Sequence, residues 1–505
     1  MVTEVLPGWR YYFSLPGKKI LIDKIKIIWL YSKELKFRRK VSFREYNRGQ
    51  KIQKKVKFKK SKISINKVVE AGVILVTGGS ALVFFIWSKN NFLLPKETYA
   101  ESILIVLLAI YLIKVVEDGR FYLVKSNLWY PLLGIAGASL FSLINSVSFY
   151  LSFLDLAEFL SYFFILFLAV NFIRTWTQKT RIFWALVVVC IITSAYAVCQ
   201  FYNLEFKFWV RQGGRGNIFS TFGNPNRYSG WVGAVVPVMI CYFFTMQGVK
   251  KYILGTSIAL TYTGMMMTFT RGALLGLVVS LSFMLFLLLR FLHLKFFKKY
   301  KAKIFYLIGI FAIISVVFST KNPINISGQT IIGRFVSAAT GQEASLRQRL
   351  MIWQVSFLMA RAHPFIGQGI GTYKYHYLWY QGKFFENPAN QDRLNLAVWA
   401  REAHNEYLQI LVEMGALGLF FWLWLIFTFF GENYRGLKKE KNQKHFLMRL
   451  GLGTGAFVIL VHAAVSFPLH IVPNGILLFL LMGLATSTEQ AQTQTPASSF
   501  PKNFG

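Results

Sequence analysis

Residues 252–292 read YILGTSIALTYTGMMMTFTRGALLGLVVSLSFMLFLLLRFL, two apolar runs with only Thr270-Arg271-Gly272 between them. Each run approaches the ~20 residues that a helix needs to cross a ~30 Å hydrocarbon core. A helix can do so because it satisfies its own backbone polar groups. The pair therefore reads as a helical hairpin with Arg271 at its tip. An unpaired guanidinium at that boundary costs a few kcal/mol, so its retention implies an anionic partner on the same face.

Outward from this hairpin the same composition continues. Apolar residues make up 54% of the 505, including 49 Phe and 13 Trp, far beyond the balance of a soluble domain. Windows of about 20 apolar residues mark about twelve helices. The expected fold is an all-α polytopic membrane protein with one large helical loop. It divides into a basic N-terminal segment (1–66), helices one to nine (67–319), the loop (320–403), helices ten to twelve (404–485) and a polar tail (486–505) rich in Gln, Thr, Ser and Pro.

The formal net charge is +36, from 57 Lys and Arg against 21 Asp and Glu. In a soluble chain this would suggest nucleic acid, but here the basic residues fall in short segments between apolar runs and act as orientation signals. No nucleic-acid partner is expected. Residues 1–66 carry about twenty Lys and Arg, with no small-residue cleavage site after an apolar core and no span-length run, so the segment is not expected to be a signal peptide. It is expected to stay in the cytoplasm, where Lys51-Ile52-Gln53-Lys54-Lys55 suits anionic lipid headgroups. Every second connection is then cationic: Arg120 with Lys125, Arg174 with Lys179 and Arg181, Lys250 with Lys251, Arg290 through Lys303, and Arg435 through Lys444. Opposite them lie 203–227, the Arg271 hairpin, the large loop and the turn 468–473. These outer segments hold many arginines, including Arg211, Arg215, Arg227, Arg334, Arg347 and Arg349, against the positive-inside tendency. Cys190, Cys199 and Cys241 sit inside apolar runs without metal-ligand spacing and read as packing.

Within the loop, Leu346, Leu350, Trp353, Phe357 and Met359 or Ala360 recur roughly as one stripe of a helix that Pro364 ends. Arg347 and Arg349 fall on its polar side, where guanidinium forks suit phosphate oxygens. Gly367-Gln368-Gly369-Ile370-Gly371-Thr372 follows, read either as a turn with positive φ or as amides turned toward an anion. His404-Asn405 begins the next apolar helix, with Gly415 and Gly418 further in, where small residues permit close approach. A histidine there suits a general base or an interfacial cap. Asp155 and Glu158, one turn apart on the fourth helix, are available to pair with Arg271 or another arginine. The loop acids Glu343, Glu386, Asp392 and Glu402 contain no Asp-x-Asp pair, so neither a metal nor a cofactor is expected.

Three segments together resemble the O-antigen ligase and polymerase superfamily. His404-Asn405, nine residues, then Gly415-Ala416-Leu417-Gly418 fits its His-Asn…Gly-x-x-Gly pattern without a gap. Thr270-Arg271-Gly272 is similar to its Ser/Thr-Arg-Gly signature, and Gly223-Asn224-Pro225-Asn226 to its Gly-Asn-Pro-Asn segment. Arg349 four residues before Trp353, Pro364 and the glycine loop extend the resemblance over about 203–485. One departure is Ser466, which precedes Phe467-Pro468-Leu469 where many relatives carry an acid.

The resemblance implies a GT-C-like membrane glycosyltransferase of the cytoplasmic (inner) membrane with its site facing the periplasm or exterior. Its donor would be a glycan on a polyprenyl diphosphate, and its acceptor a hydroxyl of a glycan, lipid or protein. Arg271 and His404 are the expected catalytic residues. Arg215, Arg227, Arg347, Arg349, Asn224, Asn226 and Asn405 are the expected diphosphate or glycan contacts. The alternative is a small-anion transporter of the same superfamily, of bicarbonate type.

Overall fold

The computed structural model describes residues 64–88, 90–121, 123–204, 218–340 and 343–487. The basic N-terminal segment and the polar tail fall almost wholly outside these residues, as does Arg215. Among the described residues the chain is helical and without strands.

The helices are α1 (Ile65–Leu82), α2 (Leu93–Asp118), α3 (Trp129–Ser142), α4 (Phe149–Phe172), α5 (Trp176–Phe201), α6 (Pro225–Thr245), α7 (Val249–Met267) and α8 (Arg271–Ser319). Then come α9 (Ile331–Ala339), α10 (Ala344–Ala362), α11 (Tyr373–Glu386), α12 (Glu406–Lys439), α13 (Gln443–His462) and α14 (Val472–Thr486). Eight of them are long and apolar enough to cross a membrane, α3 with the turn after it and α14 being shorter apolar helices. This is an all-α polytopic membrane protein. The apolar segments expected from the sequence fall on helices, two of which end well short of the expected bounds, at Leu82 and His462. The segment from Arg290 to Lys303, expected as a connection, instead continues as helix: α8 runs 49 residues and leaves helical geometry only at His293 and Tyr300.

The centre of the bundle is α6, whose apolar window is 94% buried, beside α13 at 83%. Small residues make that pairing close. A Cβ added to Gly455 would lie 2.5 Å from the carbonyl oxygen of Ala234, and one added to Gly451 3.2 Å from that of Pro237. Without side chains the two backbones reach contact, which in lipid replaces the missing hydrophobic drive between helices.

Tight turns alternate between the bundle's two ends. Arg174, Lys250, Lys439 and Lys441 lie at one end. The Arg271 hairpin, the loop helices α9 to α11, and the α13–α14 turn lie at the other.

The loop carries a small core of its own, with Met351, Ile352, Val355 and Met359 of α10 packed on Tyr373, Tyr377, Tyr380 and Phe384 of α11 and on Val412 of α12. The buried face of α10 is therefore turned from the stripe expected from the sequence. Leu350 and Phe357 are exposed, and Trp353 lies partly buried at the core's edge. Leu346 lies on a cavity wall instead.

The loop also grips the bundle. Helix α12 breaks at Gly415 (φ 65°, ψ −169°), about 14 Å from its start by helical rise. The backbone groups freed there are taken up by the glycine loop. Ala416 and Leu417 N–H donate to the carbonyls of Pro364 and Phe365 at 2.8 and 3.1 Å, and Gln368 and Gly369 N–H donate to those of Val412 and Glu413 at 2.9 and 3.0 Å. Gly367, Gly369 and Gly371 all have positive φ. With two of its amides spent on a helix break, the loop is a turn that locks α12, and the alternative of amides turned toward an anion is not what the fold uses them for. Gly415 admits a loop rather than a neighbouring helix.

Candidate functional site

Arg271 is the first residue of α8, just after a turn in which Phe269 adopts positive φ (52°). Its guanidinium pairs with Glu343, and Nη1 donates to the Arg334 carbonyl at 3.0 Å. Arg334 Nη2 lies 3.4 Å from the other oxygen of the same carboxylate. Arg349 Nη1 donates to the Val465 carbonyl at 3.3 Å. Burial lowers the Arg349 pKa, repulsion by Arg271 adds to this, and Glu343 opposes it.

These groups line one cavity of about 720 Å³ at the hairpin end of the bundle, with Asn226 and Thr270 on its polar wall and Phe269, Leu275, Phe335 and Leu346 among its apolar lining. Among the described residues three guanidinium groups thus face one carboxylate. The volume and the mixed lining suit a ligand with an anionic head and an apolar body.

His404 stands beside this cavity rather than on its wall. It has a left-handed backbone (φ 53°), costly for a residue with a Cβ and held by its neighbours. Trp353 Nε1 donates to the Ala403 carbonyl at 3.0 Å, and Ala403 N–H donates to Gln409 Oε1 at 2.9 Å. The imidazole meets the Phe467 ring edge-on, centroids 5.0 Å apart. Burial, then repulsion from Arg349, pulls its pKa down to about 4, leaving it neutral near pH 7 and a weaker base than an ordinary imidazole.

The turn between α13 and α14 supports both groups, since Val465 holds Arg349 and Phe467 holds His404. It is itself tied down by α12. Leu469 N–H donates to Glu406 Oε2 at 2.9 Å, and His470 sits 3.0 Å from Glu406 and 3.9 Å from Glu413. Burial lowers the His470 pKa, but the two carboxylates outweigh it and hold it well above its ordinary value. Glu406 thus brings a carboxylate to the turn that holds Ser466.

The remaining expected site residues fall as follows. Asn405 and Asn224 are helix N-caps, their Oδ1 accepting from Leu408 N at 3.1 Å and Asn226 N at 2.9 Å. Those acceptor atoms are occupied by the backbone. Arg347 is exposed on α10 and does not line the cavity. Arg227 also lies off the wall, within electrostatic reach of Glu402 and Glu97. Asp155 and Glu158 do not pair with Arg271: Glu158 accepts from the Tyr162 hydroxyl, and Asp155 lies against Gly371.

Three residues enter that the motifs did not single out as site residues. Glu343 and Arg334 complete the arginine cluster. The third, His462, is 2% exposed, wedged between α6 and α8 where Gly230 and Gly272 leave room for its ring. Its Nδ1 has no hydrogen-bond partner among the described residues. A histidine inside a span was itself a signal.

Fold and site together define a polytopic helical membrane protein with a cationic cavity at one end of the bundle. Residues 256–423, which include Arg271, Arg334, Glu343, Arg349 and His404, match the family model described as O-antigen ligase. A stretch of 176 residues, 34% of this chain, is 26% identical to the exopolysaccharide production protein ExoQ of Rhizobium meliloti (strain 1021) and covers 38% of that protein's length.

Proposed function

We propose that this protein is a metal-independent membrane glycosyltransferase that moves a glycan from a polyprenyl diphosphate onto an acceptor hydroxyl at the extracytoplasmic face of the cytoplasmic membrane. The observation that carries this reading is the convergence of Arg271, Arg334 and Arg349 on one cavity within the segment that matches the O-antigen ligase family. In the resting protein Glu343 takes the place of a ligand anion between Arg271 and Arg334, and the donor's diphosphate displaces it.

The acceptor oxygen bonds to the anomeric carbon as the bond from that carbon to the diphosphate breaks, and the electron pair leaves with the diphosphate. Arg271 and Arg349 stabilise the growing charge with fork-shaped, charge-assisted hydrogen bonds. The neutral His404 takes the acceptor proton. The wild-type chain, reconstituted with a polyprenyl diphosphate-linked glycan and an acceptor glycan, is expected to give transferred product and free polyprenyl diphosphate. Flux of a labelled small anion with no product would instead support a carrier and overturn this reading.

A further inference from the structure

The opposite end of the bundle holds a second cavity, of about 490 Å³, between the start of α5, the end of α12, the start of α13 and the end of α14. Arg174, Lys179, Lys439, Lys441 and Arg449 line it, with Glu440 the one carboxylate among the described lining residues. The Arg449 guanidinium is brought there by Gly436, where an added Cβ would lie 1.9 Å from Nη1. Arg449 donates no hydrogen bond to another described residue. Glu440 and Glu432 act on it through space. Lys179 Nζ donates to the Ser487 carbonyl at 2.8 Å, which fixes one wall.

Cations near the last turns of α12 and α14 favourably meet the negative ends of those helices, but that effect is worth only ~0.3–1 kcal/mol per group and needs no enclosed space. Among the described lining residues Lys439, Lys441 and Arg449 outnumber the one acid, Glu440, and guanidinium with ammonium donors is the combination that grips phosphate oxygens.

We propose that this basic cavity is a second, separate anion site that binds a phosphate group, supplied by the headgroup of an anionic phospholipid or by a soluble phosphate compound. It stands apart from the Arg271 cavity and does not depend on the glycosyltransferase reading. An occupant would join the ends of α5, α12, α13 and α14 and so reach the bundle that carries the outer site.

The full-length protein in phosphatidylcholine nanodiscs is titrated with inorganic pyrophosphate by calorimetry. In parallel it is exchanged into phosphatidylcholine–phosphatidylglycerol nanodiscs, and retained lipid is counted by native mass spectrometry. Both measurements are made on wild type and on R271A, which separates the outer cavity. Binding of one probe that survives R271A and weakens about ten-fold in R449Q supports the site and names its source. The exposed pair K439Q/K441Q, which leaves the buried packing intact, is expected to weaken the same probe. Neither probe binding in R271A, or binding that R449Q and K439Q/K441Q leave unchanged while thermal unfolding shows them folded, overturns the proposal.

Discussion

Gly367 and Gly415 each fill the space the other's neighbours leave for a missing side chain. A Cβ on Gly415 would lie 2.3 Å from the Phe365 carbonyl, and one on Gly367 would lie 2.3 Å from that of Glu413. Both have positive φ. Backbone meets backbone here, so no side chain can yield. Gly415→Ala and Gly367→Ala are each expected to destabilise the protein by about 3 kcal/mol or more, from a strained φ and a backbone clash together. Gly431→Ala, on the same helix with open space around it, is expected to leave thermal unfolding in detergent unchanged. Equal midpoints for all three would contradict the interlock.

Glu343 competes with any anion for Arg271 and Arg334. Glu343→Gln keeps the shape and removes the charge, so inorganic pyrophosphate is expected to bind the outer cavity about ten-fold more tightly, near 1.4 kcal/mol. Calorimetry on the variant checks this, and weaker binding would mean that the carboxylate supports the site.

His404, with a pKa drawn down to about 4, stays neutral from pH 7 to pH 5. As a base it is active when deprotonated, so its contribution to transfer is expected to stay level across that window and to fall only as pH approaches 4. His404→Ala is expected to lower the transfer rate by roughly a hundred-fold or more. A rate that halves near pH 6.5 in the wild type and not in the variant would show an ordinary imidazole.

His470 behaves in the opposite sense. Its folded pKa is raised by Glu406 and Glu413, so its stabilisation is fully present below the unfolded value of about 6.5 and disappears as pH rises through the folded one. The gap in thermal midpoint between wild type and His470→Gln is therefore expected to be widest at pH 6 and to close in the alkaline range. A gap that widens with pH would reverse the assignment.

How much of this could be read in the chain follows from what each feature depends on. The helices were legible because apolar length is a local property, and Arg271 stood out because two spans meet there with almost nothing between them. The buried face of α10 was misplaced because that helix is apolar on more than one side: Val355 and Met359 enter the loop core while Leu350 and Phe357 stay exposed. Periodicity cannot rank two stripes. The pairing of Arg271 with Glu343 and the burial of Glu406 against His470 join residues far apart in the chain, so spacing carried no trace of them. Asn405 and Asn224, expected to touch substrate, also cap helix starts through Oδ1, a second role that a short Asn side chain takes at such a position.

The proposed transfer requires a lipid diphosphate in the outer cavity, and photolabelling in proteoliposomes detects it there directly. A polyprenyl diphosphate carrying a photoreactive group near its head is expected to label Leu275, Phe335 or Leu346 on the cavity wall, with labelling lost in Arg271→Ala and competed by inorganic pyrophosphate. Labelling that lies elsewhere, or that Arg271→Ala leaves at the wild-type level, would contradict it.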